Sequence, residues 1–330
     1  MSKISSVIIG FGMGRYHANL LRGLEDFQLA GVCDIDAERR KAAERDFNVR
    51  TYESVDDVCD DKSVELAVVA TPHDTHAPLC IQLLNAGKNV VVEKVMCLNV
   101  NEAAAMIDAA RKNRRLLSVF QNRRWDSDYL TVKAAVQKGI LGRLIVVESS
   151  VVWHGPVGGW RAQKKHGGGM IYDWGAHLVD QCLQLMGPNY LRVFAYMTTA
   201  EWKMDVETHV QAFVQYPETL FVIEVSSNRR QPKPRWSVCG EKAQLIKQGF
   251  SPDEKATILT EVDGLKATAE MDAVKGDWAD YYRNIKQVLR DGGELAVKPE
   301  ESLEMVRLTQ DIRYSAAVGR AVAKGEGAPA

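Results

Sequence analysis

A carboxylate, an imidazole and three adjacent glycines come together in Gly167-Gly168-Gly169-Met170-Ile171-Tyr172-Asp173-Trp174-Gly175-Ala176-His177. That set is suited to proton transfer, because an imidazole takes or gives a proton near neutral pH and a neighbouring carboxylate can fix its ring. Asp173 and His177 are four residues apart, so on a helix they share a face. Leu178, Val179, Cys182, Leu185 and Met186 continue a helical period, and Gly187-Pro188 stops it. Glycine is costly to order, so a triplet abutting a helix predicts close backbone approach to a ligand or another chain. A surface pair on an ordinary amphipathic helix would have the same spacing, and the stretch alone names no reaction.

A second chemistry is written near the start of the chain. The apolar run Ser6 to Ile9 predicts a strand, and it ends in Gly10-Phe11-Gly12-Met13-Gly14 before a helical pattern at Ala18, Leu20 and Leu21. A strand, glycine turn and helix in that order let a dinucleotide pyrophosphate approach the backbone and rest on N–H groups at the helix start. The spacing is one residue shorter than G-x-G-x-x-G, so the motif needs its context. A second strand, Gln28 to Val32, supplies it by placing Asp34 about 20 residues after the glycines. An acid there accepts from the adenosine ribose hydroxyls and repels a 2′-phosphate, which favours NAD over NADP. Asp36 reads as the N-cap of a helix over 37–45, and no arginine directly follows Asp34 to receive a 2′-phosphate.

The alternation continues with a strand over 65–70, the loop Thr71-Pro72-His73-Asp74-Thr75-His76, a helix to about Ala86, a strand over 89–92 and a further strand over 116–120. Repeated strand and helix predict a parallel, doubly wound α/β sheet that binds its ligand beyond the carboxyl ends of the strands. The candidate cofactor contacts at those ends are Gly10, Phe11, Gly12, Met13, Gly14, Asp34, Thr71, Pro72, His76, Glu93, Lys94 and Gln121. Lys94 stands out, since Val90-Val91-Val92 is a buried run that delivers a charged amine to the binding edge. His73 and His76 have no further Cys or His beside them, and no metal is expected.

Past Gln121 the pattern changes. A helix over 130–138 and a strand over 144–152 lead to Trp153-His154-Gly155-Pro156 and then to Trp160 and Arg161. Strands over 191–197, 208–216, 220–226 and 234–239 follow without intervening helices, which predicts an open, mostly antiparallel sheet in an α+β domain. Helical patterns return over 277–289 and 302–322. The boundary expected is 1–121 for the nucleotide-binding domain and 122–330 for the second. Arg123, Trp160, Arg161 and Tyr172 join Lys94, Asp173 and His177 as candidate substrate contacts, because aromatic and cationic groups can stack on a sugar or neutralise an acid.

With 330 residues, the chain is long enough for two cores, and a formal net charge of -1 gives no general attraction for nucleic acid or an anionic membrane. No apolar run reaches a membrane span, and Met1-Ser2-Lys3 begins no signal peptide, so the expected compartment is the cytoplasm. The six cysteines are scattered without a C-x-x-C pair, which predicts reduced packing residues. The polar tail over 325–330 is expected to fray.

Four segments together, Gly10 to His17, Thr71-Pro72 with His76, Ala86-Gly87-Lys88 to Glu93-Lys94, and Gly167 to His177, resemble the Gfo/Idh/MocA family of glucose-fructose oxidoreductases and inositol dehydrogenases. The resemblance covers nearly the whole chain, and Phe120 to Asp128 is most similar to the scyllo-inositol dehydrogenase branch. It implies a Rossmann domain, an α+β domain whose sheet forms a homodimer or homotetramer interface, and C-terminal helices, about 302–322, packing back on the first domain. It also implies that Lys94, Asp173 and His177 are catalytic in an NAD-dependent oxidoreductase acting on a secondary alcohol of a sugar or cyclitol. The family usually has proline after the lysine, in a bond its members often hold cis. Val95 stands there in this chain, which leaves the setting of Lys94 open. Two other functions stay open: glycoside cleavage or elimination through a transient keto-sugar, and nucleotide sensing without catalysis.

Overall fold

The computed structural model describes residues 2–199 and 202–327. The last three residues of the tail lie outside the described residues. Two compact units make up the chain, residues 1–121 with 279–306 and residues 122–278 with 307–330. The first unit thus takes in 279–306, and the chain from 307 onward belongs to the second.

In chain order the first unit holds β1 (Ile4–Ile9), α1 (Phe11–Arg22), β2 (Phe27–Cys33), α2 (Ala37–Phe47), β3 (Arg50–Tyr52), α3 (Val55–Asp60), β4 (Leu66–Val69), α4 (His76–Asn85), β5 (Asn89–Val92), α5 (Val100–Asn113) and β6 (Leu117–Val119). Its six strands are parallel and run β3-β2-β1-β4-β5-β6. β4 and β5 are buried along their whole length, which is why they read as near-continuous apolar or β-branched runs, Asn89 apart, rather than alternating ones. The strand order reverses between β1 and β4, and such a reversal opens a crevice at the strands' carboxyl ends. Asp36 caps α2, accepting from Glu38 N at 2.9 Å, as its position predicted. The short β3, α3 and the longer α5 fall where the sequence reading assigned no element.

The second unit begins with α6 (Ser127–Gln137) and β7 (Leu144–Val152), then α7 (Trp174–Met186), β8 (Arg192–Thr198), β9 (His209–Gln215), β10 (Leu220–Ser226), β11 (Trp236–Gly240), β12 (Ala243–Lys247), β13 (Ala256–Val262) and β14 (Leu265–Met271). After these come α8 (Ala279–Asp291), which belongs to the first unit, α9 (Pro299–Val318) and β15 (Val322–Ala323). The nine-stranded sheet runs β14-β13-β12-β11-β7-β10-β9-β8-β15, with β7 and β10 parallel and the other pairs antiparallel. The hairpin of β13 and β14 turns on Asp263 and Gly264, both at positive φ. Gly325 N and Gly327 N donate to the Asp311 carboxylate at 2.7 and 2.8 Å, so the tail is tied down as far as residue 327.

Buried charge fixes α7 within this unit. Arg124 donates to both oxygens of Asp180 at 2.9 and 2.7 Å, and both side chains are buried. Arg235 donates to Gln181 and to Ser149 at 2.5 Å each, and its Nε lies 3.1 Å from Asp128. Burial pushes the Arg235 guanidinium down to about 10, while the Asp128 and Asp126 charges oppose that shift. Among the described residues no helix is long and apolar enough to cross a membrane. Removing one partner of a buried pair leaves the other charge stranded, which costs more than the pair contributes. Arg124→Ala is expected to destabilise the protein by about 3–5 kcal/mol, read as a lower urea midpoint. An unchanged midpoint would show that Asp180 finds another partner.

Candidate functional site

At the end of β1, Gly10 takes φ +89°, and a Cβ there would stand 2.8 Å from Thr71 Cγ2 and 2.9 Å from the Ala70 carbonyl. The turn and the loop after β4 thus touch through a position where only glycine fits. Gly14 faces inward instead, and a Cβ on it would run into the Ile8 side chain. It serves close helix-to-strand packing, so the shortened motif keeps the part that the third glycine plays in the longer one. Above Gly12 a Cβ would have only the Arg39 guanidinium near it, at 3.8 Å.

Asp34 follows β2 and is buried. Its carboxylate accepts from Phe11 N at 2.7 Å and from Asp36 N at 2.9 Å, which ties it to the start of α1. Arg39 NH1 lies 3.6 Å from the same carboxylate on a half-exposed side chain. The absence of a basic residue directly after Asp34 therefore does not leave that carboxylate without a cation, because the first turn of α2 brings Arg39 back to it. Thr71 Oγ1 accepts from Thr75 Oγ1 at 2.6 Å, and Pro72 precedes a 3₁₀ turn over His73–Thr75. The rings of His73 and His76 are 5.5 Å apart. Among the described residues no group of three His, Cys, Asp or Glu stands where it could hold a metal ion.

Glu93 and Lys94 leave β5 buried, and the Lys94–Val95 peptide is cis. Glu93 Oε1 lies 3.0 Å from His17 Nε2, and Oε2 accepts from Lys94 N at 3.0 Å. Burial raises the Glu93 carboxyl, but the hydrogen bond with His17 and the neighbouring Lys94 charge outweigh it and hold the group below its ordinary range. His76 Nδ1 and Nε2 lie 2.7 and 3.0 Å from the carbonyls of Val95 and Thr71, and burial pushes this imidazole down. The Gln121 side-chain amide, at the end of β6, is buried with no hydrogen-bond partner for either polar atom.

In the second unit Asp173 occupies the N-cap position of α7 rather than a place inside the helix, and His177 lies buried in its first turn. Asp173 Oδ1 accepts from Arg161 Nε at 3.3 Å, and the Arg161 guanidinium also lies over the Trp160 ring at 4.7 Å. The glycine triplet is filled by the chain itself. A Cβ on Gly168 would strike the Arg161 carbonyl, and one on Gly169 would strike the Glu207 carboxylate. At Gly168 and Gly169 the close approach comes from the 3₁₀ turns over 159–166 and from the loop before β9.

Arg123 stacks over Trp174 at 4.1 Å, lies 5.5 Å from the Trp278 ring and pairs with Asp126 at 2.5 Å. Its contacts hold the start of α7 in addition to anything it offers a substrate. The Tyr172 ring lies under the Arg313 guanidinium at 4.9 Å. Glu207 and Arg313 escaped the sequence reading, since neither sits in a motif. Arg39 carried a visible signal, the basic pair Arg39-Arg40 in the first turn after the Asp36 cap.

These features fit a dinucleotide. The unpartnered Gln121 amide, the Gly12 backbone with only the mobile Arg39 head group above it and the carboxylate of Asp34 stand in the same unit at the ends of β6, β1 and β2. Residues 4–121 match the oxidoreductase family with an NAD-binding Rossmann fold, Gfo/Idh/MocA, and residues 129–246 match that family's C-terminal domain. The chain belongs to the Gfo/Idh/MocA oxidoreductases. An NAD-binding protein from Listeria innocua has the same fold at TM-score 0.93 and 31% identity, with 98% of this chain and 100% of that one covered. Among curated relatives, an uncharacterized oxidoreductase of Escherichia coli, YdgJ, is 29% identical over 92% of this chain and 93% of its own. The scyllo-inositol 2-dehydrogenase (NADP(+)) IolW of Bacillus subtilis is 28% identical over 92% and 91%. As a member of this family the chain is an NAD(P)-binding oxidoreductase.

Glu207 gives this family member a pH signature. Burial raises its carboxyl above the ordinary range, and the hydrogen bond it accepts from Ile171 N at 3.1 Å and the Arg313 charge 3.9 Å away do not cancel that. A carboxyl with a raised folded-state pKa binds its proton more tightly folded than unfolded. Stability is then lost as pH rises from about 4, where Glu ionises in an unfolded chain, through the raised value. Glu207→Gln removes that term. Urea midpoints are expected to shift in favour of the variant, relative to wild type, as pH rises across this window. A gap that is constant with pH would place Glu207 at an ordinary pKa.

Proposed function

We propose that the protein moves a hydride between a nicotinamide dinucleotide, preferably NAD, and a secondary carbinol of a sugar, cyclitol or sugar derivative. The dinucleotide supplies or accepts the hydride. The observation that carries the reading is the presence, along one edge of the parallel sheet, of the glycine turn, the Asp34 carboxylate and the buried Lys94. The N–H groups of Gly12 and Met13 at the start of α1 would hold the pyrophosphate, Asp34 the ribose hydroxyls, and Thr71, Pro72 and Gln121 the remainder, with His76 and Glu93 fixing the loops behind them.

His177 acts as the general base for the substrate hydroxyl proton, and Asp173 orients it. Lys94 hydrogen-bonds the same oxygen and stabilises the developing alkoxide. Trp160, Arg161 and Tyr172 contact the substrate, and Arg123 acts through Trp174. The inositol dehydrogenase among the relatives makes scyllo-inositol the first compound to assay, followed by other polyols and keto-sugars, each with NAD and with NADP.

His177→Ala should lower kcat by roughly 10² to 10⁴ and leave dinucleotide binding intact. Lys94→Ala should also lower kcat, and the double variant should lose less than the sum, because groups acting on one proton are not additive. Full turnover in His177→Ala would defeat the mechanism, and full turnover in Lys94→Ala would remove the amine from it.

For the cofactor, wild type should use NAD better than NADP, and Asp34→Ser should shift kcat/KM toward NADP, with Arg39 at hand for the 2′-phosphate. A wild-type preference for NADP would overturn the assignment of Asp34.

The second unit's sheet has a row of side chains on one face, Phe194, Phe213, Val222 and Glu148, in register across four strands. Phe194 is 41% and Tyr196 57% exposed at its β8 end. We infer a homodimer or homotetramer through this face. Light scattering should report a multiple of the chain mass, reduced by Phe194→Lys with Tyr196→Lys; a wild-type monomer at every concentration would exclude it.

A further inference from the structure

We propose that His17 and His76 are positioning residues that grip the main chain on either side of Lys94 and tie it to the two loops that receive the dinucleotide. The inference rests on the role of Lys94 proposed above.

Both ring nitrogens of each imidazole face a polar partner. His17 belongs to α1, one turn beyond the glycines, and its Nε2 meets Glu93 while Nδ1 lies 2.6 Å from the Tyr282 hydroxyl. An ionised carboxylate only accepts, so Nε2 carries the hydrogen toward Glu93, and the Tyr282 hydroxyl can donate to Nδ1. The other oxygen of Glu93 holds Lys94 N, so the grip passes from α1 to the lysine backbone through a single carboxylate. His76 opens α4 with Nδ1 2.7 Å from the Val95 carbonyl, on the far side of the lysine, and Nε2 3.0 Å from the Thr71 carbonyl, in the loop that touches Gly10; a neutral ring has one hydrogen to donate, and the shorter distance assigns it to Val95.

Both rings are 0% exposed, and Glu93 and Lys94 are 7% and 9% exposed. None of these groups is needed to cap a helix or complete the sheet. Tyr282 comes from α8, so a segment distant in sequence closes the chain of contacts behind His17. A lysine amine sits at the end of a flexible stem and acquires direction from the backbone that carries it. A misplacement of about 1 Å in a reacting constellation can cost roughly 10²-fold.

The two nitrogens of each ring can be tested separately. Asparagine reproduces the Nδ1 side of histidine and glutamine the Nε2 side. His17→Gln keeps the Glu93 contact and His17→Asn loses it; His76→Asn keeps the Val95 contact and His76→Gln loses it. The full-length protein and the four variants would be acetylated with limiting N-hydroxysuccinimidyl acetate. Labelling of Lys94 relative to the other lysines would be read by peptide mass spectrometry, and NAD affinity by fluorescence titration.

The expected result is crosswise. His17→Gln and His76→Asn label Lys94 as wild type does, while His17→Asn and His76→Gln change its labelling and lower kcat on any substrate found, by about tenfold or more. NAD affinity changes less than kcat does. Equal behaviour of the two members of each pair, whatever their thermal stability, would overturn the proposal and leave the histidines as packing. Should His17→Asn fail to fold, Glu93→Gln, which removes the carboxylate that joins His17 to Lys94 N, replaces it, with the same direction of change expected. Unchanged turnover in Lys94→Ala defeats the reading of Lys94 as catalytic. The crosswise labelling pattern stands or falls independently of that result.

Discussion

The first unit depends on one close approach, the backbone of Gly10 against the Ala70 carbonyl and the Thr71 side chain. β1 and β4 are neighbours in the sheet, but the strands on their outer sides fan away in opposite directions, so the loops that follow them must share the crevice between. Without a Cβ at residue 10 the two loops come into contact, and Asp34 can then reach the first N–H of α1. Helix start, acid and second loop are held together by backbone groups, which vary little from one rotamer to another. Precision at a helix N-terminus of this kind follows from the absence of side chains.

The second unit reaches the same end by burying charge. α7 is anchored along its buried length by Arg124 on Asp180 and Arg235 on Gln181. Ion pairs of this sort add little net stability over apolar packing, since desolvation consumes most of the attraction. What they add is uniqueness of register, because each guanidinium fork fits one carboxylate or amide position on the helix. His177 lies less than one turn from Asp180, so a register set by Arg124 is also a setting of the imidazole.

Much of the fold could be read from residue pattern alone. The strands over 89–92, 144–152 and 220–226 lie where the sequence reading set them, each built on a β-branched or apolar stretch. The hairpin of β13 and β14 is signalled by Asp263-Gly264 and by the alternation of Leu265, Ala267, Ala269 and Met271 with polar residues, yet β14 is exposed almost throughout, so that alternation marks no buried face. β3 has three residues at a sheet edge, too few for any period. The membership of 279–306 in the first unit was beyond pattern altogether, since helical periodicity reports that a face is buried and is silent on what buries it.

The candidate site was legible in its residue types and much less in its contacts. Three glycines together correctly signal a close approach, but glycine records only that space is needed, and the occupants proved to be the Arg161 carbonyl and the Glu207 carboxylate of the same chain. Asp173 pairs with Arg161 from a cap position where helical spacing placed it on a face with His177. Spacing arguments assume that a helix has already begun, and they weaken in the half-turn where it starts. Arg39 makes the converse point. A cation five residues past Asp34 is remote along an extended chain, yet one turn of α2 returns it to 3.6 Å from the carboxylate. The Asp34 carboxylate is buried and held by two backbone N–H groups, while the Arg39 guanidinium is half exposed, so the cation is the mobile partner. Acid and guanidinium are therefore separable groups, and the position of one in the sequence does not fix the setting of the other.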